Sequence, residues 1–287
     1  MSHKLDPFLL YTMDMKQAGA VLERTVGYAL AFARYAAFGL ALAGFLVAAS
    51  RALRTPMIWS WLASTSSADV SGLAPLASPL NWTATFVGWF AVAVMAYLVV
   101  GWLQRALSGR KPGFPAAVGA ALGAGLPLLA VQLALGLLLW LAPFPSAVGV
   151  YLAYQVAGLV ALALLLPAMV YAAVHARGFR NALGRLGEAL SASGYGRLLI
   201  RPGYWAAFAV LALWLLASSW LGRVGLQLDL DRAIEPQFYG FLFAEALRGF
   251  LTTVIGLPIV AAALRSVYDV VWGSPESASA TPAPPAA

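Results

Sequence analysis

The stretch PGFPAAVGAALGAGLPLLAVQLALGLLLWLAPFPSAVGVYLAYQVAGLVALALLLPAMVYAAV (Pro112–Val174) holds no Asp, Glu, Lys, Arg or His. A helix needs about 20 apolar residues to cross a bilayer, so this run has room for two crossings and a turn. Pro143-Phe144-Pro145-Ser146 is the expected turn, because two prolines so close end a helix. The reading gives spans at 115–142 and 147–174.

The same test extends outward. Apolar windows at 26–50, 82–103, 203–222 and 238–264 give four more spans. The chain is 62% hydrophobic and 10% charged over 287 residues, whereas soluble domains have about 25% charged residues. Lipid removes the need for a charged surface and forces each backbone segment to satisfy its own hydrogen bonds. The expected fold is all-α: a polytopic integral membrane helical bundle with six transmembrane helices and amphipathic interfacial helices. Residues 1–25 form a cytoplasmic amphipathic segment, 26–272 the membrane domain and 273–287 a disordered tail of small residues and proline. The first 24 residues mix both charge signs and do not read as a signal peptide.

The net charge is +7. In a membrane protein basic residues report topology, so nucleic acid is not the expected partner. Twelve of the 18 Lys and Arg lie in 1–25, 104–114, 175–202 and 265–287. Four lie in the alternate segments (Arg51, Arg54, Arg223 and Arg232), and Arg34 and Arg248 lie within spans. This asymmetry places both termini in the cytoplasm. Arginine outnumbers lysine and alanine abounds, as in a GC-rich genome. The expected location is the cytoplasmic (inner) membrane of a prokaryote.

Within the basic 175–202 loop, Phe179, Leu183, Leu186 and Leu190 recur at i, i+4, i+7 and i+11 and share one helix face. Arg177, Arg180 and Arg185 lie off that face, where anionic lipid headgroups can be met. A plain anchoring helix and a protein-docking surface are the other readings.

Gly119 and Gly123 form a GxxxG whose default use is internal packing, a homo-oligomer face being the other use. Gln132 and Gln155 are nearly symmetric about the 143–146 turn and are expected at one depth, each able to satisfy the other. Glu245 and Arg248 lie inside span six at i, i+3 and can pair. With a helix start near Phe238 they fall about 10 and about 15 Å deep, where a charge facing lipid is costly. Arg34 is a further intramembrane charge that can snorkel inward.

These residues define a candidate polar cluster open to the outside, built from spans three, four and six. Two structural readings compete with it: an interhelical lock, or a helix that starts near Gly249. With no cysteine and with only His3 and His175, thiolate, haem and HExxH zinc sites are not expected, and neither is a cofactor. No phosphate-binding loop or nucleophile elbow occurs. The expected function is non-enzymatic: binding or passing a small solute or lipid. The alternative is an accessory subunit or scaffold docking through the 175–202 loop.

Overall fold

The structure, a computed structural model, describes residues 7–64, 79–141, 147–192, 195–221 and 234–273. They form α1 (Pro7–Ser64), α2 (Pro79–Ser108), α3 (Phe114–Leu141), α4 (Ala147–His175), α5 (Phe179–Ser191), the single turn α6 (Tyr195–Leu198), α7 (Pro202–Leu221) and α8 (Ile234–Val271). Among the described residues there is no strand.

Five helices are long and apolar enough to cross a membrane: Gly19–Thr55, Pro79–Ser108, Phe114–Leu137, Ala153–His175 and Phe238–Val271. By helix length and composition the chain is a multi-pass membrane protein. The fifth expected span is a shorter apolar helix, Pro202–Ser218, within α7. The 143–146 turn, the 223–233 part of the acidic loop and the tail from 274 lie outside the described residues.

Helices α1 and α8 outrun their hydropathy windows furthest. Helix α1 continues through Arg51 and Arg54 to Ser64. Helix α8 continues past 264 to Val271 and carries Arg265 and Asp269 within the helix. Backbone hydrogen bonding does not stop where charge begins. Only proline, glycine or a cap stops it. At the end of α2, Gly109 supplies the stop with φ +67, and the Arg110 N–H reaches back to the Gln104 carbonyl at 3.2 Å.

Helices α1 and α8 run antiparallel as the principal pair. Thr25 meets Ser266 at one end, Oγ1 to Oγ 2.6 Å apart, and Arg51 meets Glu245 at the other. Helix α2 packs on α1, α7 on α8 and α1, and α3 on α4, α5 and α2. Lipid tails give helices no hydrophobic reason to associate, so close backbone approach through small residues carries much of the packing. Ala36, Ala43, Ala207, Ala261 and Ala263 accordingly line the main core beside Phe32, Leu40, Trp102 and Tyr204. The outward faces are apolar: Phe38 is 85% exposed, Trp89 70% and Leu133 67%. Hydrocarbon is the medium that suits such faces.

Helix α4 contains Pro167. A proline has no N–H, so the carbonyl four residues earlier loses its helical donor. That carbonyl belongs to Ala163, and the Tyr204 hydroxyl donates to it. The Tyr195 hydroxyl donates to Leu164 O at 2.7 Å, and Trp272 Nε1 to Pro167 O at 3.0 Å. At the end of α4, the buried Gln104 side chain donates to Ala173 O and Ala176 O at 2.7 and 2.9 Å. Helices α2 and α7, the turn α6 and the end of α8 thus each cap carbonyls of α4.

Candidate functional site

Toward the C-terminal end of α1 and the N-terminal end of α8, Glu245 joins two arginines. Its Oε1 lies 2.8 Å from Arg248 Nη1 on its own helix, and its Oε2 lies 3.3 Å from Arg51 Nη1 on α1. The i, i+3 pair follows from helix geometry. The third member comes from a residue 194 positions away.

Glycine makes the crossing possible. A Cβ at Gly249 would lie 2.7 Å from Arg51 Cδ and 3.1 Å from Val47 Cγ1, and one at Gly44 would lie 2.8 Å from the Phe250 ring. The absence of both Cβ atoms lets α1 and α8 approach until the Arg51 stem lies across α8. Thr252 and Thr253, next in α8, spend their hydroxyls on carbonyls of their own helix, Arg248 and Gly249.

Among the described residues the cluster brings two guanidiniums to one carboxylate. Glu245 and Arg248 are 18% and 17% exposed, whereas Arg51 is 39% exposed. One turn away on α1, Arg54 is exposed, and a Cβ at Gly88 would lie 2.9 Å from Ser50 Oγ and 3.7 Å from Arg54 Nη2. Ser50 donates to Ala84 O at 2.8 Å. The arrangement is a cationic end to the α1–α2–α8 seam, suited to holding an anionic group.

Gln132 and Gln155 belong to a different part of the bundle. They lie on α3 and α4, both half-buried. Gln132 Nε2 faces α4, 3.9 Å from where a Gly158 Cβ would stand. Among the described residues no hydrogen bond joins the two glutamines to each other or to Glu245 and Arg248. The antiparallel hairpin puts the glutamines on paired helices, and α8 turns its charged pair to α1 instead. Arg34 is exposed on α1. Next to it, Tyr35 lies under the Arg105 guanidinium of α2, 5.7 Å from the ring centre.

Arg177 and Arg180 are exposed at the start of the α5 segment. Arg185 Nη1 is bonded to Glu188 Oε2 at 2.8 Å, and this hydrogen bond holds the guanidinium further above its usual range.

A second polar layer, at the opposite end of the bundle, was not anticipated. Tyr28 donates to Asp269 Oδ2 at 2.7 Å. The Arg265 guanidinium lies 4.1 Å from the Tyr28 ring centre and 5.2 Å from that of Trp102, with its Nε 3.9 Å from Asp269. His175 Nε2 and the Tyr268 hydroxyl are 2.9 Å apart. Arg201 donates to Val270 O at 2.6 Å. The readable signal was Arg265 and Asp269 at i, i+4, a spacing that pairs charges on a helix. It was hidden by ending span six at 264.

Among the described residues no group of three or more His, Asp or Glu is placed to hold a metal ion. No protein-family model matches the chain, and no curated protein or solved structure is significantly similar to it.

Proposed function

We propose that the chain is a non-enzymatic protein of the prokaryotic cytoplasmic membrane, with six spans and cytoplasmic termini. In this reading it binds or passes a small anionic solute or lipid at the Arg51–Glu245–Arg248 cluster. The observation that carries the reading is the shared carboxylate. One Glu245 serves guanidiniums from two helices, and of the two Arg51 is the partly exposed one.

Depth supports the same reading. Glu245 lies 20 residues before Arg265 on one helix, about 30 Å along the axis. That matches the hydrocarbon thickness of about 30 Å. If the Arg265–Asp269 layer marks the inner boundary, the cluster sits at the outer one. This is shallower than the depth reckoned from a start at Phe238, because α8 is longer than its apolar window. There an arginine meets water or headgroups and avoids the cost of the midplane. Helix α7 has 20 residues, about 30 Å of axis, which supports its assignment as the remaining span.

The tightness of the seam at Gly44 and Gly249 favours one second reading: a lock within a scaffold or accessory subunit. Thermal unfolding of purified protein separates the two. Inorganic phosphate or phosphatidylglycerol should raise the melting temperature of the natural protein. Arg51→Gln should remove most of that rise, while folded Glu245→Gln should enlarge it. A melting temperature indifferent to both probes leaves only the lock. The chain has no cysteine, so single introduced cysteines report sidedness cleanly. One at position 229 should react with an impermeant maleimide in intact cells, and one at 180 only after permeabilisation.

A further inference from the structure

Helix α5 divides into three sectors at about 100° per residue. Ala182, Leu186 and Ala189 occupy one sector and are buried. Phe179, Leu183 and Leu190 occupy the next and are 43%, 36% and 40% exposed. Polar residues fill the rest, with Arg180 bordering the exposed apolar sector and Arg185 bordering the buried one. The four-residue stripe read from the sequence is therefore split: Leu186 turns inward and the other three turn outward.

The seat of α5 is the Gly119–Gly123 motif. A Cβ at Gly123 would lie 2.5 Å from the Phe179 carbonyl oxygen and 2.7 Å from Ala182 Cβ, and one at Gly119 would lie 3.0 Å from the Phe179 nitrogen. Gly119 and Gly123 are five and nine residues past the start of α3 at Phe114, about 8 and about 14 Å along its axis. Helix α5 thus lies on the flank of α3 and α4 and not beneath their ends. The chain reaches this place through Gly178, whose φ of +156 suits glycine.

A helix on the flank of a membrane bundle has protein on one side and lipid on the other. Its outward Phe and Leu side chains suit acyl chains, and the arginines beside them suit the phosphates above those chains. Arg180 is exposed beside that border, and Arg177 is exposed just before the helix begins. Arg185 is committed elsewhere, to Glu188. We infer that α5 is a binding surface for anionic phospholipid of the leaflet it faces, with Arg177 and Arg180 holding the headgroup and Phe179, Leu183 and Leu190 the chains. This site is separate from the Arg51–Glu245–Arg248 cluster and stands without it.

The experiment uses the full chain in nanodiscs of phosphatidylglycerol and phosphatidylcholine, with native mass spectrometry of retained lipid. The natural protein should retain phosphatidylglycerol in preference. R177Q and R180Q should each lower that preference about five-fold, and R185Q should leave it unchanged. An unaltered preference in the double variant, or an equal loss in R185Q, overturns the assignment. A photoreactive residue at position 183, with both arginines intact, tests the same surface without removing charge. Labelling of phospholipid supports the site, and labelling of another polypeptide in native membranes overturns it.

Discussion

The Tyr204 hydroxyl is bonded to the Ala163 carbonyl, the one acceptor in α4 that Pro167 strips of its helical donor. Tyr204 is fully buried at the start of α7, so the carbonyl freed by a proline in one helix is met by the first turn of another. In lipid a bare carbonyl has no water to turn to. The proline therefore creates a need for a donor that Tyr204 meets.

Tyr204→Phe should lower stability by about 1–3 kcal/mol, the cost of leaving a buried acceptor unpaired. Pro167→Ala restores an N–H at position 167. In that background Tyr204→Phe should cost less, with a coupling of about 0.5–3 kcal/mol in a double-mutant cycle. Reversible unfolding in detergent reads both numbers. Additive effects would show that the tyrosine packs without capping.

Glu245→Gln leaves two guanidiniums facing an amide. Glu245 and Arg248 are mostly covered and Arg51 is partly exposed, so water screens part of the loss. The expected destabilisation is about 1–3 kcal/mol. Arg51→Gln leaves the Arg248 pair intact and should cost less. A larger loss for Arg51→Gln than for Glu245→Gln would contradict the central role given to the carboxylate.

Much of the membrane architecture was legible because hydrocarbon imposes a simple rule: no charge for about 20 residues. The spans read at 115–142 and 147–174 correspond to α3 (Phe114–Leu141) and α4 (Ala147–His175), and the segment read at 203–222 is a helix, α7 (Pro202–Leu221), with a shorter apolar stretch than the five candidate crossings. The rule is silent where a helix leaves the apolar layer, and so α1 past Ser50 and α8 past Leu264 were cut short. Local pairs such as Glu245–Arg248 are visible at i, i+3. Arg51 was hidden because nothing local links it to Glu245. On α5, periodicity showed a stripe, but it could not show that Leu186 buries with Ala182 and Ala189 while Phe179, Leu183 and Leu190 face outward. That outcome follows from the glycines of α3, which accept only small side chains at close range.

Gly123→Val should dislodge α5. The new side chain would occupy the space of the Phe179 carbonyl and Ala182 Cβ, and backbone cannot move aside as a flexible side chain can. Overpacking of this kind costs about 1–3 kcal/mol. Limited proteolysis should then cut within 177–192 faster than in the natural protein. Gly125 has nothing within 4 Å of its Cβ position, so Gly125→Ala should leave the proteolysis rate unchanged. Equal protection in Gly123→Val would mean that α5 is held by something other than this seat.

The α7–α8 contact makes the sharpest steric forecast. A Cβ at Gly256 would fall less than 3.0 Å from three atoms of the Trp214 indole, a rigid plane that must swing as a whole. Gly256→Ala gains about 1 kcal/mol of helix propensity in water-based scales and loses about 1–3 kcal/mol to the displaced ring. The net change should be destabilising. Trp214→Leu in the Gly256→Ala background removes the obstacle, so the second substitution should cost less there than it does alone. Melting temperatures of the four proteins decide the matter, and a stabilised Gly256→Ala would show that α7 can withdraw from α8 without loss.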